Sequence, residues 1–153
     1  MSPVEHAVIC AAGIGSRLGL NRPKCLIEIA GRSLLDYHLE RLKWAKTIWL
    51  VVGFQEEEVA AHALSLRPDI IVVRNPDFAN TNTLQSLHRV SRHLNERMLF
   101  LDGDTIVENE SFSGFLDATK AQQSLIGVSA YTTSDGVRAS VVDGEVVGFT
   151  RTT

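Results

Sequence analysis

Apolar and polar positions along this chain fall into blocks whose period switches repeatedly. Val4–Cys10 is a short, mostly apolar run that reads as a strand. Thr47–Val52 reads as a short buried strand, and Asp69–Arg74 and Met98–Leu101 read as the third and fourth strands. The stretches between them carry a helical period. Ser33 is placed to cap a helix reaching about Ala45, with Leu34, Leu35, Leu39 and Leu42 on one face. Gln55–Leu66 predicts a second helix, whose acidic first turn at Glu56, Glu57 and Glu58 suits the helix dipole. Asn82–Leu94 predicts a third, with Leu84, Leu87, Val90 and Leu94 aligned, and Ser111–Gln122 a fourth. Beyond these the helical pattern stops. Ser124–Thr132, Val137–Val142 and Glu145–Thr150 read as strands, and Asp143-Gly144 suits a tight hairpin turn between the last two.

Strands alternating with helices predict a right-handed parallel sheet covered on both faces. The expected fold is α/β, a Rossmann-like three-layer sandwich with a mostly parallel sheet, ending in a β-hairpin. One domain over residues 1–153 follows, with no repeat, linker or low-complexity stretch. In such sheets ligands bind beyond the carboxyl ends of the strands. Two distant segments should therefore meet there, the one after Cys10 and the one after Leu101.

The first of these reads AVICAAGIGSRLGLNRPKCL over residues 7–26. Ala11, Ala12, Gly13, Gly15 and Ser16 let backbone N–H groups approach an anion closely. Arg17 and Lys24 bring positive charge to the same place. A dinucleotide fingerprint needs a third glycine where Leu18 stands, and a helix where Asn21-Arg22-Pro23 stands. A Walker A loop needs a Gly-Lys pair followed by Ser or Thr, which is absent. A plain strand-to-helix turn is the remaining bland reading.

The second segment is Leu101-Asp102-Gly103-Asp104. A carboxylate beside a glycine at a strand end suits a hard cation, and magnesium takes one or two carboxylates together with phosphate oxygens and water. The same dipeptides also make ordinary turns. A third candidate lies in NPDFANTNTLQSL, where Asn75 and Asn82 can each donate and accept toward a nucleobase. Their competing roles are a turn at Asn75-Pro76 and a helix cap at Asn82.

Together these residues resemble the signature of nucleotidyltransferases that join a nucleoside triphosphate to a phosphorylated sugar or alcohol and release pyrophosphate. The resemblance rests on Ala11, Ala12, Gly13, Gly15, Ser16, Arg17, Pro23, Lys24 and Leu26. It implies the nucleotide-diphospho-sugar transferase type of fold, and Mg2+ held by Asp104, with Asp102 the weaker candidate. It also implies that the loop holds the triphosphate, Arg17 neutralises the departing β/γ end and Lys24 contacts the α-phosphate. The run from Asn75 through Thr81-Asn82 to Ser86 resembles the cytidylyl branch, such as bacterial phosphocholine cytidylyltransferases. That favours CTP as nucleotide and a phosphorylated small molecule as its partner.

Composition adds exclusions. The chain is 44% hydrophobic and 22% charged, with net charge −3 and no basic block, so no nucleic-acid partner is expected. It has no apolar run long enough for a membrane span and no signal peptide, so a cytoplasmic location is expected. Cys10 and Cys25 lack metal spacing and read as buried thiols. His38, His62, His88 and His93 lie on the predicted helices without a metal pattern. No Ser-His-Asp ordering is evident. Nothing in the sequence sets the oligomeric state.

The family's catalytic domain extends beyond the length of this chain, and its later part supplies acceptor contacts and a second metal-binding Asp. Truncation at the C-terminus is the resulting expectation. Three other readings stay open: a nucleotide-binding or regulatory module without catalysis, a sugar-1-phosphate nucleotidyltransferase using UTP, dTTP or GTP, and a glycosyltransferase using Asp102-Gly103-Asp104 as an Asp-x-Asp metal motif.

Overall fold

The computed structural model describes residues 4–15, 19, 21–121, 124–130 and 136–151. Its centre is a four-stranded sheet built from β1 (His6–Ala11), β4 (Thr47–Val52), β5 (Ile71–Arg74) and β6 (Met98–Asp102). The spatial order is β5-β4-β1-β6. Every pairing is parallel, with Ala7 opposite Ile48 and Leu99, and Trp49 opposite Ile71. The apolar runs therefore form the strands expected of them. β1 is central, and Ala7, Val8 and Ile9 are wholly buried, which is why its run does not alternate.

Four helices cover this sheet: α1 (Leu34–Arg41), α2 (Glu56–Leu66), α3 (Thr83–Ser91) and α4 (Asn109–Ala118). On one face Ile9, Leu50 and Val52 pack with Leu35 and Leu39 of α1, Val59 and Ala63 of α2, and Phe112 of α4. On the other, Val8 and Val51 pack with Val90 and Leu87 of α3. This is the expected three-layer arrangement. A Leu50→Ala truncation in the first core would cost about 2–5 kcal/mol.

Capping fixes where helices begin. Ser33 accepts from the Asp36 N–H at 3.0 Å while Asp36 accepts from the Ser33 N–H at 2.8 Å, a reciprocal box. Asn82 and Gln85 do the same at the start of α3. The ends were less legible. α1 stops at Arg41, short of Ala45, and Arg67 donates to the carbonyls of Leu42 at 3.0 Å and Ala45 at 2.7 Å. A long-range guanidinium thus satisfies carbonyls that have no helical partner beyond the end of α1.

A small hairpin escaped the sequence reading. β2 (Glu28–Ile29) pairs with β3 (Arg32–Ser33), and Ala30 and Gly31 turn it at φ 52° and 75°. At the far end β7 (Val137–Val142) pairs antiparallel with β8 (Glu145–Arg151). Asp143 and Gly144 both have positive φ there, as a two-residue hairpin turn requires. The strand expected over Ser124–Thr132 does not form among its described residues, 124–130. Leu125, Ile126 and Val128 are exposed, with no described strand alongside. β propensity needs a paired, half-buried surface to be realised, and that surface is missing here. Tyr131 and Thr132 lie outside the described residues.

Candidate functional site

β1 ends at Ala11 and opens into the small-residue loop; β6 ends at Asp102 on the neighbouring rung, with Cys10 opposite Asp102. Adjacent parallel strands bring their carboxyl ends together, so the two segments meet as expected. The joint is close. Gly103 N–H donates to Cys10 O at 2.8 Å, and a Cβ on Gly103 would lie 2.7 Å from that oxygen and 3.3 Å from Ala11 Cβ. Glycine at 103 is a packing requirement of this contact.

The chain then turns to bring Lys24 back. Pro23 is buried and leads into a single 3-10 turn, Lys24–Leu26, with Cys25 and Leu26 buried beneath it. Lys24 lies over Gly15, whose φ is +66° and whose added Cβ would come within 2.8 Å of Lys24 Cγ. Across the gap, Lys24 Nζ donates to Asp104 Oδ2 at 2.9 Å. Their side chains are 34% and 40% exposed, so the pair faces solvent and its Coulomb energy is screened, about 0–1 kcal/mol. A cation and a carboxylate 80 positions apart thus share one accessible point.

Neighbouring groups shape its electrostatics. Asp102 is pushed above the ordinary carboxylate range by partial burial, then by the like charge of Asp104, with Lys24 pulling the other way. Burial chiefly raises Cys25 to about 12, helped by the charges of Asp104 and Glu58. Burial likewise raises Cys10 to about 12, with Asp102 adding to it. Both are therefore held as protonated thiols at neutral pH rather than as thiolates. His38 is depressed to about 4 by burial and by Arg41, and its Nε2 has no described partner.

Other expected site residues divide. Ala11 and Ala12 are buried, Ala12 O accepts from Phe54 N–H at 3.2 Å, and Gly13 is exposed in the loop. Ser16 and Arg17 lie outside the described residues. Asn75 points inward and is fully buried. Its Nδ2 donates to Thr81 Oγ1 at 2.8 Å and Ser86 Oγ at 3.2 Å, and its Oδ1 accepts from Asp77 N–H at 3.2 Å. Its amide is thus engaged in holding the loop from below. Thr81 completes that knot by donating to Asp77 O at 2.8 Å. Asn82 is exposed at the start of α3, with Oδ1 given to the cap.

Sequence reasoning missed the turn after β4. A Cβ on Gly53 would lie 2.6 Å from Phe78 Cβ and 2.8 Å from Ala12 O, so this glycine lets three loops touch. The signal available was its position directly after the apolar run ending at Val52. A separate cleft of about 250 Å3 is lined by Arg22, Glu28, Ser33, Asp36, Glu58 and His62, and contains neither Lys24 nor Asp104. In it His62 Nε2 lies 2.6 Å from Asp36 Oδ1 and 3.2 Å from Ser33 Oγ. Both partners meet one ring nitrogen, whereas a catalytic triad needs the two nitrogens separately. Burial raises the Asp36 carboxyl, but hydrogen bonds from His62 and Ser33 outweigh it and leave the group below its ordinary range.

No cluster of three or more His, Cys, Asp or Glu side chains able to hold a metal occurs among the described residues. Asp104 and Asp102 nevertheless fit magnesium, which takes its remaining ligands from phosphates and water. No helix among the described residues is long and apolar enough to cross a membrane.

Residues 7–146 match the family described as the MobA-like NTP transferase domain. The CMP-5'-(3-aminopropyl)phosphonate synthase of Streptomyces rubellomurinus is 33% identical over 153 aligned residues, covering 90% of this chain. A bifunctional protein GlmU of Azorhizobium caulinodans is 41% identical over 85 residues, covering 54% of it. The chain spans 24% and 18% of these two relatives. The CTP:phosphocholine cytidylyltransferase of Streptococcus pneumoniae superposes with a TM-score of 0.58 at 29% identity, over 66% of this chain and 46% of that one. The inositol-1-phosphate CTP transferase of T. maritima shares the fold, with a TM-score of 0.72 at 18% identity over 96% of this chain and 64% of that one. On the family match over most of its length, this chain belongs to the MobA-like NTP transferase domain family.

Proposed function

We propose that the chain carries the nucleotide site of a cytidylyltransferase, which transfers CMP from CTP to a phosphorylated alcohol such as phosphocholine and releases pyrophosphate. The contact between Lys24 and Asp104 carries this reading, because it puts a cation and a metal-binding carboxylate at one solvent-facing point beside the small-residue loop. Relatives named for CMP transfer and phosphocholine support the choice of nucleotide and acceptor.

The reaction is an in-line displacement at the α-phosphorus. The acceptor's phosphate oxygen attacks, its P–O bond forms, and the bond to the β-phosphate breaks. A phosphate dianion is already nucleophilic at neutral pH, so no general base is needed. What the protein must do is align two repelling anions and neutralise charge as the leaving group departs. Backbone N–H groups of Ala11, Ala12, Gly13, Gly15 and Ser16 bind the triphosphate. Lys24 turns from Asp104 to the α-phosphate, and Arg17 meets the departing end. Asp104, with Asp102 beside it, would hold Mg2+, which supplies charge neutralisation between phosphates. Asn75 acts from beneath by fixing the loop that carries Thr81 and Asn82, and those two face the base.

Pyrophosphate release tests this, with CTP, UTP, dTTP and GTP each set against phosphocholine, 3-aminopropylphosphonate, inositol 1-phosphate and a sugar 1-phosphate. Release with CTP and phosphocholine is the expected result. Release only with another nucleotide and a sugar phosphate would replace it by the sugar-nucleotide reading. CTP binding by calorimetry without release under any acceptor would make the chain a non-catalytic module. For Asp104→Asn the magnesium concentration at half-maximal rate should rise, since one charged ligand is lost; an unchanged requirement removes Asp104 from the metal site.

A further inference from the structure

The turn after β4 carries a feature that helix formation does not need. Gln55 precedes α2 in the left-handed conformation, at φ 49° and ψ 45°, with no side-chain cap to the helix. Glycine would sit there without strain. Instead the side chain reaches out, and Gln55 Nε2 donates to Asn21 O at 3.2 Å. Asn21 is itself left-handed, at φ 44°. Two strained non-glycine residues are therefore joined by one hydrogen bond.

One position earlier, Phe54 N–H donates to Ala12 O at 3.2 Å. Ala12 begins the small-residue loop and Asn21 stands near its end, just before Pro23-Lys24. The same turn also meets the 75–86 loop, since Gly53 abuts Phe78 and the Phe54 and Phe78 rings are 6.3 Å apart. Three consecutive residues thus contact the start of one loop, its end, and a second loop.

We infer that Gly53-Phe54-Gln55 is a clasp that sets the span of the nucleotide loop between Ala12 and Asn21, with Gln55 as a positioning residue for nucleotide binding. The inference rests on the proposed nucleotide site. Gln55 touches no reacting atom in this scheme. It fixes the approach of the chain to Lys24, and it couples that approach to the loop held by Asn75.

Two variants test it. Gln55→Gly removes the donor and relieves the backbone; Gln55→Met keeps the length of the side chain and the backbone strain while removing the amide. Without ligand, tryptic cleavage after Arg17 should accelerate in both by about three- to tenfold, the worth of one hydrogen bond. Calorimetry with Mg·CTP should show affinity weakened by a similar factor, while thermal unfolding of Gln55→Gly stays at or above wild type. A merely structural Gln55 would lose stability and affinity together. Unchanged cleavage in both variants overturns the clasp. Faster cleavage with unchanged nucleotide affinity overturns the positioning role. If the wild-type chain binds no nucleoside triphosphate and cleavage still accelerates, the nucleotide site is overturned along with that role, and the clasp stands as a brace alone.

Discussion

Replacing Gly15 by alanine adds one methyl group and separates two effects that usually come mixed. The backbone effect follows from φ +66°, where an L residue costs about 1 kcal/mol. For a chain of 153 residues this lowers the melting temperature by about 2–4 °C. The steric effect is local. The new Cβ would lie 2.8 Å from Lys24 Cγ and 3.4 Å from its Cε, so the flexible lysine moves and the glycine backbone stays. Moving that side chain shifts Nζ from its position 2.9 Å from Asp104 and so from the place from which it would turn to the α-phosphate. A misplacement near 1 Å costs about 10–100-fold in rate, less than the 10²–10³ expected for deleting the charge outright. Gly19→Ala is the control, because Gly19 has φ +62° and its Cβ would meet no described atom within 4 Å. Both variants should lose the same few degrees in a thermal scan. Only Gly15→Ala should lose turnover in a pyrophosphate-release assay at saturating nucleotide. Equal turnover in the two variants would refute the view that Gly15 is small for the sake of Lys24.

Asn75→Ala should destabilise the protein by about 1–3 kcal/mol, since it leaves the buried hydroxyl of Ser86 without its donor while Thr81 keeps its bond to Asp77 O; a urea midpoint equal to wild type would contradict the buried knot. His38 supplies a pH dependence. Its folded pKa of about 4 lies below the ordinary value of 6.5, so the unfolded chain binds the extra proton between them. Its contribution is complete above pH 6.5 and is lost as pH falls toward 4, up to about 3 kcal/mol. Urea midpoints measured from pH 7 to 4 should fall less steeply in His38→Leu than in wild type; parallel curves would show that another group carries the dependence.

How much of this could be read from the residues alone varied with the range of the interaction. Thr47–Val52 was legible because an apolar run of that length, bounded by polar residues, has few other uses. The starts of α1 and α3 were legible because Ser33 with Asp36, and Asn82 with Gln85, satisfy helix N–H groups within four positions. The end of α1 was not, because Arg67 reaches it from beyond α2. The Ser124–Thr132 segment has the residues of a strand and, over 124–130, no described neighbour to pair with. Asn75 was legible as a polar loop residue, but its direction was not, because Ser86 arrives beneath it only when α3 docks.

The candidate site shows the same division. The chemistry of the loop was written locally: small residues at 11–13 and 15, cationic side chains at 17 and 24, carboxylates at 102 and 104. Those identities depend on no neighbour. Whether Lys24 meets Asp104 depends on β1 and β6 lying side by side, and on Gly103 being small enough to pass Cys10 O. That is a matter of long-range burial and steric fit, to which local propensity is blind. The brace from Gln55 to Asn21 belongs to the same class. It places a residue in a conformation its own preferences oppose, which only contacts from elsewhere in the fold can sustain.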